Sequence, residues 1–105
     1  MKEITVQELK HMKDSGENYQ LIDVREEHEA EIANIGGELI PMGQILFETD
    51  KIAKDRPVIV HCRSGARSAS VIQMLEKQHG FENLYNLKGG ILAWAKEIDT
   101  SLPTY

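Results

Sequence analysis

The single cysteine of the chain, Cys62, stands in the run VIVHCRSGARS at residues 58–68, between a β-branched triplet and a helical pattern that begins near Ala66. A thiol at a strand-to-helix junction faces the unpaired N–H groups and the positive dipole end of the following helix. Arg63 and Arg67 add two cations to the same loop. Both influences favour thiolate over thiol, so the chemistry to expect is that of a nucleophilic cysteine that receives an anion. The competing reading is a small buried hydrophobe, the ordinary fate of a free cysteine. Position argues against it. Val58-Ile59-Val60 has the composition of a fully covered strand, which puts Cys62 just past the carboxyl end, the edge where open α/β sheets bind their ligands. Gly65 lets backbone N–H groups turn inward, and Ser64 and Ser68 are short enough to cap the helix or line a pocket.

The elements that must hold this loop alternate as strands and helices, the pattern of a parallel sheet flanked by helices. Thr5-Val6-Gln7-Glu8 reads as a capping box opening a helix with Val6, Leu9 and Met12 on one face, stopping at Ser15-Gly16. Ile4 starts a short edge strand before it. Residues 19–24 read as a strand, 26–32 as a short charged helix, and 38–40 as a brief strand stopped by Pro41. The spacing of Ile45, Leu46, Ile52 and Ala53 predicts a helix over 43–54. The strand ending at His61 follows, then a helix from Ala66 to Gln78 stopped by Gly80, a strand at 84–87, a Gly89-Gly90 turn and a last helix over 91–98.

With 105 residues the chain is expected to be one domain, residues 1–105. Its balance is mildly acidic, 17 Asp and Glu against 12 Lys and Arg, with no basic run, so nucleic acid is not an expected partner. An anionic substrate has to be drawn in by the loop arginines and not by the net field. One cysteine makes no internal disulfide, and no signal peptide or membrane-length apolar stretch is seen, so the expected location is a reducing cytoplasm, with no membrane partner.

Three segments, Leu21-Ile22-Asp23-Val24-Arg25-Glu26, Cys62-Arg63-Ser64-Gly65-Ala66-Arg67-Ser68, and Asn86-Leu87-Lys88-Gly89-Gly90 to Trp94, make the chain resemble a single-domain rhodanese, a thiosulfate or persulfide sulfurtransferase. The closing stretch from Gly90 to Tyr105 is also similar to the C-terminal rhodanese domains of sulfur-carrier adenylyltransferases. The resemblance implies a five-stranded parallel sheet with helices on both faces and a catalytic Cys62 that carries a sulfane sulfur as a persulfide. Thiol phosphatases of the same fold class resemble one another in a Cys-x5-Arg loop, whereas here the arginine comes one residue earlier, as Arg67. The shorter loop is sulfurtransferase-like.

On this reading the nucleophile needs neither a metal nor an organic cofactor. Arg63, Ser64, Gly65, Ala66 and Arg67 are expected to bind the substrate, with the Arg63 guanidinium engaging two oxygens of an anionic donor. Arg67, a cation at a helix start, needs a compensating acid such as Asp23 or Glu26, or else faces the pocket; anchoring and substrate contact both stay open. Asp23, at the carboxyl edge of a parallel strand, is expected to support the loop together with Arg25 and Ser68. Arg25 and Glu26 pair either with loop or helix ends or as solvated charges. His61 precedes the nucleophile, but strand neighbours point to opposite faces, so its expected role is structural. His11, His28 and His79 have no metal-ligand spacing with Cys62. Trp94 is expected in the core or at its rim. Where many rhodaneses carry a Gly-His-Ile-Pro-Gly-like turn, this chain has Ala33-Asn34-Ile35-Gly36-Gly37, so no catalytic part is assigned there. The expected partners are a small anionic donor such as thiosulfate, a persulfide-bearing protein, and a ubiquitin-like sulfur carrier. The alternatives are a non-catalytic binding or regulatory module and a thiol redox sensor, the latter without a second cysteine to resolve a sulfenic acid.

Overall fold

The computed structural model describes residues 1–105. Strands β1 (Lys2–Ile4), β2 (Gln20–Asp23), β3 (Glu38–Leu39), β4 (Val58–His61) and β5 (Leu84–Leu87) form one five-stranded sheet in the order β1-β5-β4-β2-β3. Every pairing is parallel. Helices α1 (Val6–Asp14), α2 (Glu27–Ile32), α3 (Met42–Ile45), α4 (Ala66–His79) and α5 (Gly90–Glu97) connect them.

Alternation along the strands divides the core in two. Ile22, Val58, Val60 and Leu84 face α3 and α4, where they meet Ile45, Val71, Ile72 and Leu75. Leu21, Ile59 and Leu87 face the other way, onto Val6 and Leu9 of α1 and Ile91 and Trp94 of α5. Both faces of β4 are therefore covered, and all four of its residues are buried. Trp94 lies in the core, as expected.

Local signals set most boundaries. The Thr5 hydroxyl accepts from the Glu8 N–H and the Glu8 carboxylate from the Thr5 N–H, the reciprocal capping box read in the sequence. Gly80, at φ 69°, stops α4. The single helix expected over 43–54 is a correction: α3 ends at Ile45 and a separate 3-10 turn spans Thr49–Lys51. Ile45 and Ile52 are buried as the spacing demanded, but other groups hold the intervening backbone. The Gln20 side-chain amide donates to the Lys51 carbonyl at 2.8 Å and accepts from the Ala53 N–H at 2.7 Å. These bonds replace the ones a continuous helix would make.

Candidate active site

The loop after β4 is shaped by the start of α5. Ile91 N–H donates to the Cys62 carbonyl at 3.0 Å and Leu92 N–H to the Arg63 carbonyl at 3.1 Å. The helix can approach this closely because residue 90 is glycine: a Cβ there would stand 2.5 Å from the Arg63 oxygen and 2.7 Å from the Cys62 oxygen. With the carbonyls drawn out to α5, the N–H groups of the loop turn inward. Gly65, at φ 110°, makes the bend into α4, a conformation that L side chains rarely adopt. Of the two roles open to the loop serines, the cap is absent: Gly65 itself occupies the N-cap position of α4, and no side chain caps the helix.

Cys62 is buried, 1% exposed. The Gly65 N–H donates to Sγ at 3.1 Å and the Ser68 N–H at 3.5 Å, and the Ser68 hydroxyl lies 3.4 Å away. Burial pushes the Cys62 pKa up, but hydrogen bonds from the Ser68 hydroxyl and from the N–H groups of Ser68, Gly65 and Ser64 outweigh it, so the thiol sits below its ordinary value. The groups that dominate the lowering are neutral donors, among them the N–H groups that the sequence pointed to, and not the two loop arginines it named beside them. Ser68 has one hydroxyl proton and a second claimant for it, Asn86 Oδ1 at 2.6 Å. The backbone N–H groups are the donors with no such competition. Asn86 also donates to the Gly65 carbonyl at 3.1 Å, tying the loop to β5.

The two loop arginines are both engaged. Arg67 forms a two-pronged pair with Glu29, 2.8 Å on each prong, and not with Asp23 or Glu26. Glu29 sits in the first turn of α2 and reaches the start of α4, so its charge offsets the unfavourable placing of a cation at a helix N-terminus. The Arg67 bond holds the Glu29 carboxyl down at about 2, against the pull of burial, and raises the Arg67 pKa in turn. Arg63, half-buried, donates through Nη2 to the Tyr105 carbonyl, and its Cζ lies 5.0 Å from the centre of the Tyr105 ring. Ser64 and Ala66 are exposed at the loop's outer side.

Asp23 and Arg25 lie at the end of β2. The solvated pair that the sequence allowed for Arg25 is a second correction: Asp23 is 1% exposed and Arg25 is completely buried. Arg25 Nε donates to Asp23 Oδ1 at 2.9 Å and Nη2 to Oδ2 at 2.7 Å. The remaining N–H groups reach the Ala33 carbonyl at 2.7 Å, the Glu29 carbonyl at 3.3 Å and the Tyr105 hydroxyl at 3.0 Å. Asp23 itself forms no hydrogen bond to the loop past His61; what links it to the loop is Arg25, through Tyr105 and Glu29. His61 is buried, with its Nδ1 3.3 Å from the Cys62 carbonyl and its Nε2 3.9 Å from Asp23 Oδ2 without a hydrogen bond. Burial lowers its pKa, so it is held neutral, and its ring reaches the Cys62 backbone rather than the sulfur.

Three residues of this neighbourhood were not singled out from the sequence. Glu29 stands three residues after Glu26, the spacing of a helix-opening pair, and accepts from the Glu26 N–H at 2.8 Å. Asn86 sits opposite Val60 in the sheet register, one strand from the one that leads into Cys62. Tyr105 enters the sequence reading only within the closing stretch from Gly90, with no role of its own. No group of three or more metal-ligating side chains is present. No helix is long and apolar enough to cross a membrane.

Residues 5–97 match the family model described as a rhodanese-like domain. The chain is 38% identical over 105 residues to the probable adenylyltransferase/sulfurtransferase MoeZ of Mycobacterium tuberculosis, covering 97% of this chain and 26% of that protein. It is 38% identical over 98 residues to the putative sulfurtransferase YtwF of Bacillus subtilis, covering 92% of this chain and 93% of that one. The crystal structure of a rhodanese-like domain protein from Staphylococcus aureus superposes with a TM-score of 0.83 at 32% identity, over 100% of this chain and 99% of the other. The chain thus spans about a quarter of MoeZ and nearly all of YtwF. It belongs to the rhodanese-like domain family, and its relatives there include sulfurtransferases.

Proposed function

We propose that this chain is a thiosulfate or persulfide sulfurtransferase in which Cys62 is the nucleophile. The observation that carries the reading is the ring of inward N–H groups around a buried thiol whose pKa is lowered by them. Such a ring suits a charge that moves outward by one atom, from Sγ to the terminal sulfur of a persulfide.

The transfer runs in two displacements. The Cys62 thiolate attacks the outer sulfur of thiosulfate, the sulfur–sulfur bond of the donor breaks, and sulfite leaves with the bonding pair. Cys62 then holds the sulfur as a persulfide anion. A thiophilic acceptor attacks that outer sulfur, takes it, and the thiolate is regenerated. Cyanide serves as acceptor in an assay, giving thiocyanate; in the cell a thiol or a small ubiquitin-like sulfur carrier takes its place, a role suggested by the adenylyltransferase/sulfurtransferase relatives. A persulfide-bearing protein is an equivalent donor. In this scheme residues 1–105 work as one domain in a reducing compartment such as the cytoplasm.

Arg63 receives the anionic donor with its planar fork, and Ser64, Gly65 and Ala66 supply the walls and N–H groups of the cradle. Arg67 is assigned to anchoring, because Glu29 already fills its fork. Ser68, Asp23 and Arg25 hold the arrangement from behind.

Intact-mass analysis after incubation with thiosulfate tests the reading. The expected result is a stable gain of one sulfur on the wild type and none on Cys62→Ser, with thiocyanate formed on adding cyanide. No adduct on the wild type would instead mark a binding module, and an oxygen adduct formed by peroxide alone would mark a redox sensor.

A further inference from the structure

Tyr105 is placed where the donor has to bind. Its backbone carbonyl accepts from Arg63 Nη2, and its ring lies under the Arg63 guanidinium, 5.0 Å from Cζ. Its hydroxyl is fixed from the other side, accepting from Arg25 Nη1 at 3.0 Å and donating to Glu29 Oε1 at 3.2 Å. Behind it, Leu102 packs against the core face made by α1 and α5, and the Leu102 N–H donates to the Asp99 carbonyl at 3.1 Å. The terminal segment is thus fastened at Leu102 and again at the Tyr105 hydroxyl, with exposed Pro103 and Thr104 between. Arg67 offers no substitute for Arg63, since Glu29 occupies both its prongs. None of the surface clefts of the molecule includes a residue of the 62–68 loop.

We propose that Tyr105 is a specificity-determining latch: it competes with small anionic sulfur donors for the Arg63 guanidinium, so such a donor binds only by displacing it. The inference rests on the assignment of Arg63 as the donor's anchor. The exchange is chemically reasonable because both occupants use the same N–H groups. Tyr105 offers one main-chain oxygen and an aromatic face, whereas a sulfonyl group offers several charged oxygens to the same fork. Thiosulfate wins the exchange at a raised concentration, and the latch appears in KM rather than in the chemical step. A donor that carries no anionic group near Arg63 escapes the competition. Tyr105 therefore tilts the site away from small anions and toward donors recognised by other contacts.

Two measurements on the full chain test this. In steady-state sulfurtransfer to cyanide, Tyr105→Ala should lower KM for thiosulfate about 3- to 10-fold with kcat nearly unchanged, the range expected when the cation–aromatic contact and the hydroxyl anchor are lost and only the main-chain oxygen remains to compete. Tyr105→Phe, which keeps ring and carbonyl but loses the hydroxyl anchor, should lower it less. In an Arg63→Ala background the Tyr105→Ala change should leave KM where it was. In parallel, the Thr104 and Tyr105 amide resonances of the Cys62→Ser protein, titrated with thiosulfate, should move and sharpen as the segment is released. An unchanged or raised KM in Tyr105→Ala overturns the latch, as do amide signals that ignore saturating thiosulfate. Failure of the Arg63 assignment is separately visible: Arg63→Ala would then bind and turn over thiosulfate like the wild type, and the latch falls with it.

Discussion

Two neighbouring strand ends, four residues into β2 and four into β4, meet the same edge of the sheet in register, Asp23 opposite His61. They treat polar groups in opposite ways. At β2 every donor of a fully buried guanidinium has found an acceptor, two of them on a buried carboxylate. At β4 the Gly65 and Ser68 N–H groups converge on a sulfur, an acceptor that is weak as a thiol and strong only when charged. The first end is a closed structural knot; the second is an anion receptor that lacks its full charge until Cys62 ionises. The difference shows how one sheet edge can be rigid and reactive at once: satisfied groups fix the position of the unsatisfied ones.

The contrast can be broken most severely at the sulfur. Cys62→Ser should reduce thiosulfate:cyanide sulfurtransfer by about 1000-fold or more while leaving the melting temperature within a few degrees, because serine is nearly isosteric and forms no persulfide. Turnover retained in that variant would remove the receptor from the comparison altogether. At the other end, Asp23→Asn leaves Arg25 buried without its counter-charge and should cost about 3–5 kcal/mol in denaturant unfolding, with a Cys62 pKa close to that of the wild type. A loss below about 1 kcal/mol would mean that the knot is not what holds this edge.

Ser68→Ala should have the reverse profile, a raised Cys62 pKa and slower alkylation by iodoacetamide at neutral pH, with a smaller loss of stability of about 1–2 kcal/mol for the Asn86 oxygen left unpaired. Thiolate absorbance followed across pH checks it, and an unchanged titration would assign the lowering to backbone N–H groups alone. A smaller effect belongs to His61. Its folded pKa lies below the unfolded value near 6.5, so the unfolded chain binds the extra proton. Its contribution to stability is complete above that value and is lost as pH falls through it. His61→Gln should flatten the stability profile below about pH 6.5, whereas the Glu29 contribution, present above the ordinary carboxylate range, is lost only as pH falls toward about 2. The last expected effect is none: the wild type should not turn over an aryl phosphate, and Cys62-dependent hydrolysis of one would show that the loop length does not choose between sulfur and phosphate.

The receptor was far more legible in the sequence than the knot. Cys62, Gly65 and Ser68 sit within one short loop, and strand, glycine and helix signals on either side fix how such a loop must run. The sheet followed from the same local alternation of strands and helices. Arg25 was left open between a paired and a solvated state because its neighbours are charged, and a run such as Arg25-Glu26-Glu27 reads as solvent-facing; its burial depends on Ala33, Glu29 and Tyr105, all supplied by the fold. The Glu29 partner of Arg67 was hidden for a related reason, since thirty-eight residues separate the two. The broken helix at 43–54 turned on Gln20, a side chain in another strand. Tertiary bonds between distant polar residues leave no periodic trace, whereas apolar faces and turns do.

The two hydrogen bonds from Ile91 and Leu92 to the carbonyls of Cys62 and Arg63 join segments almost thirty residues apart. During synthesis Cys62 leaves the ribosome well before α5, and until that helix docks nothing draws those carbonyls outward. The nascent chain therefore carries an ordinary thiol, with the modest reactivity of any free cysteine toward oxidants and electrophiles. Reactivity is switched on by completion of the fold, so an unfinished or unfolded copy presents nothing that sets its cysteine apart from any other.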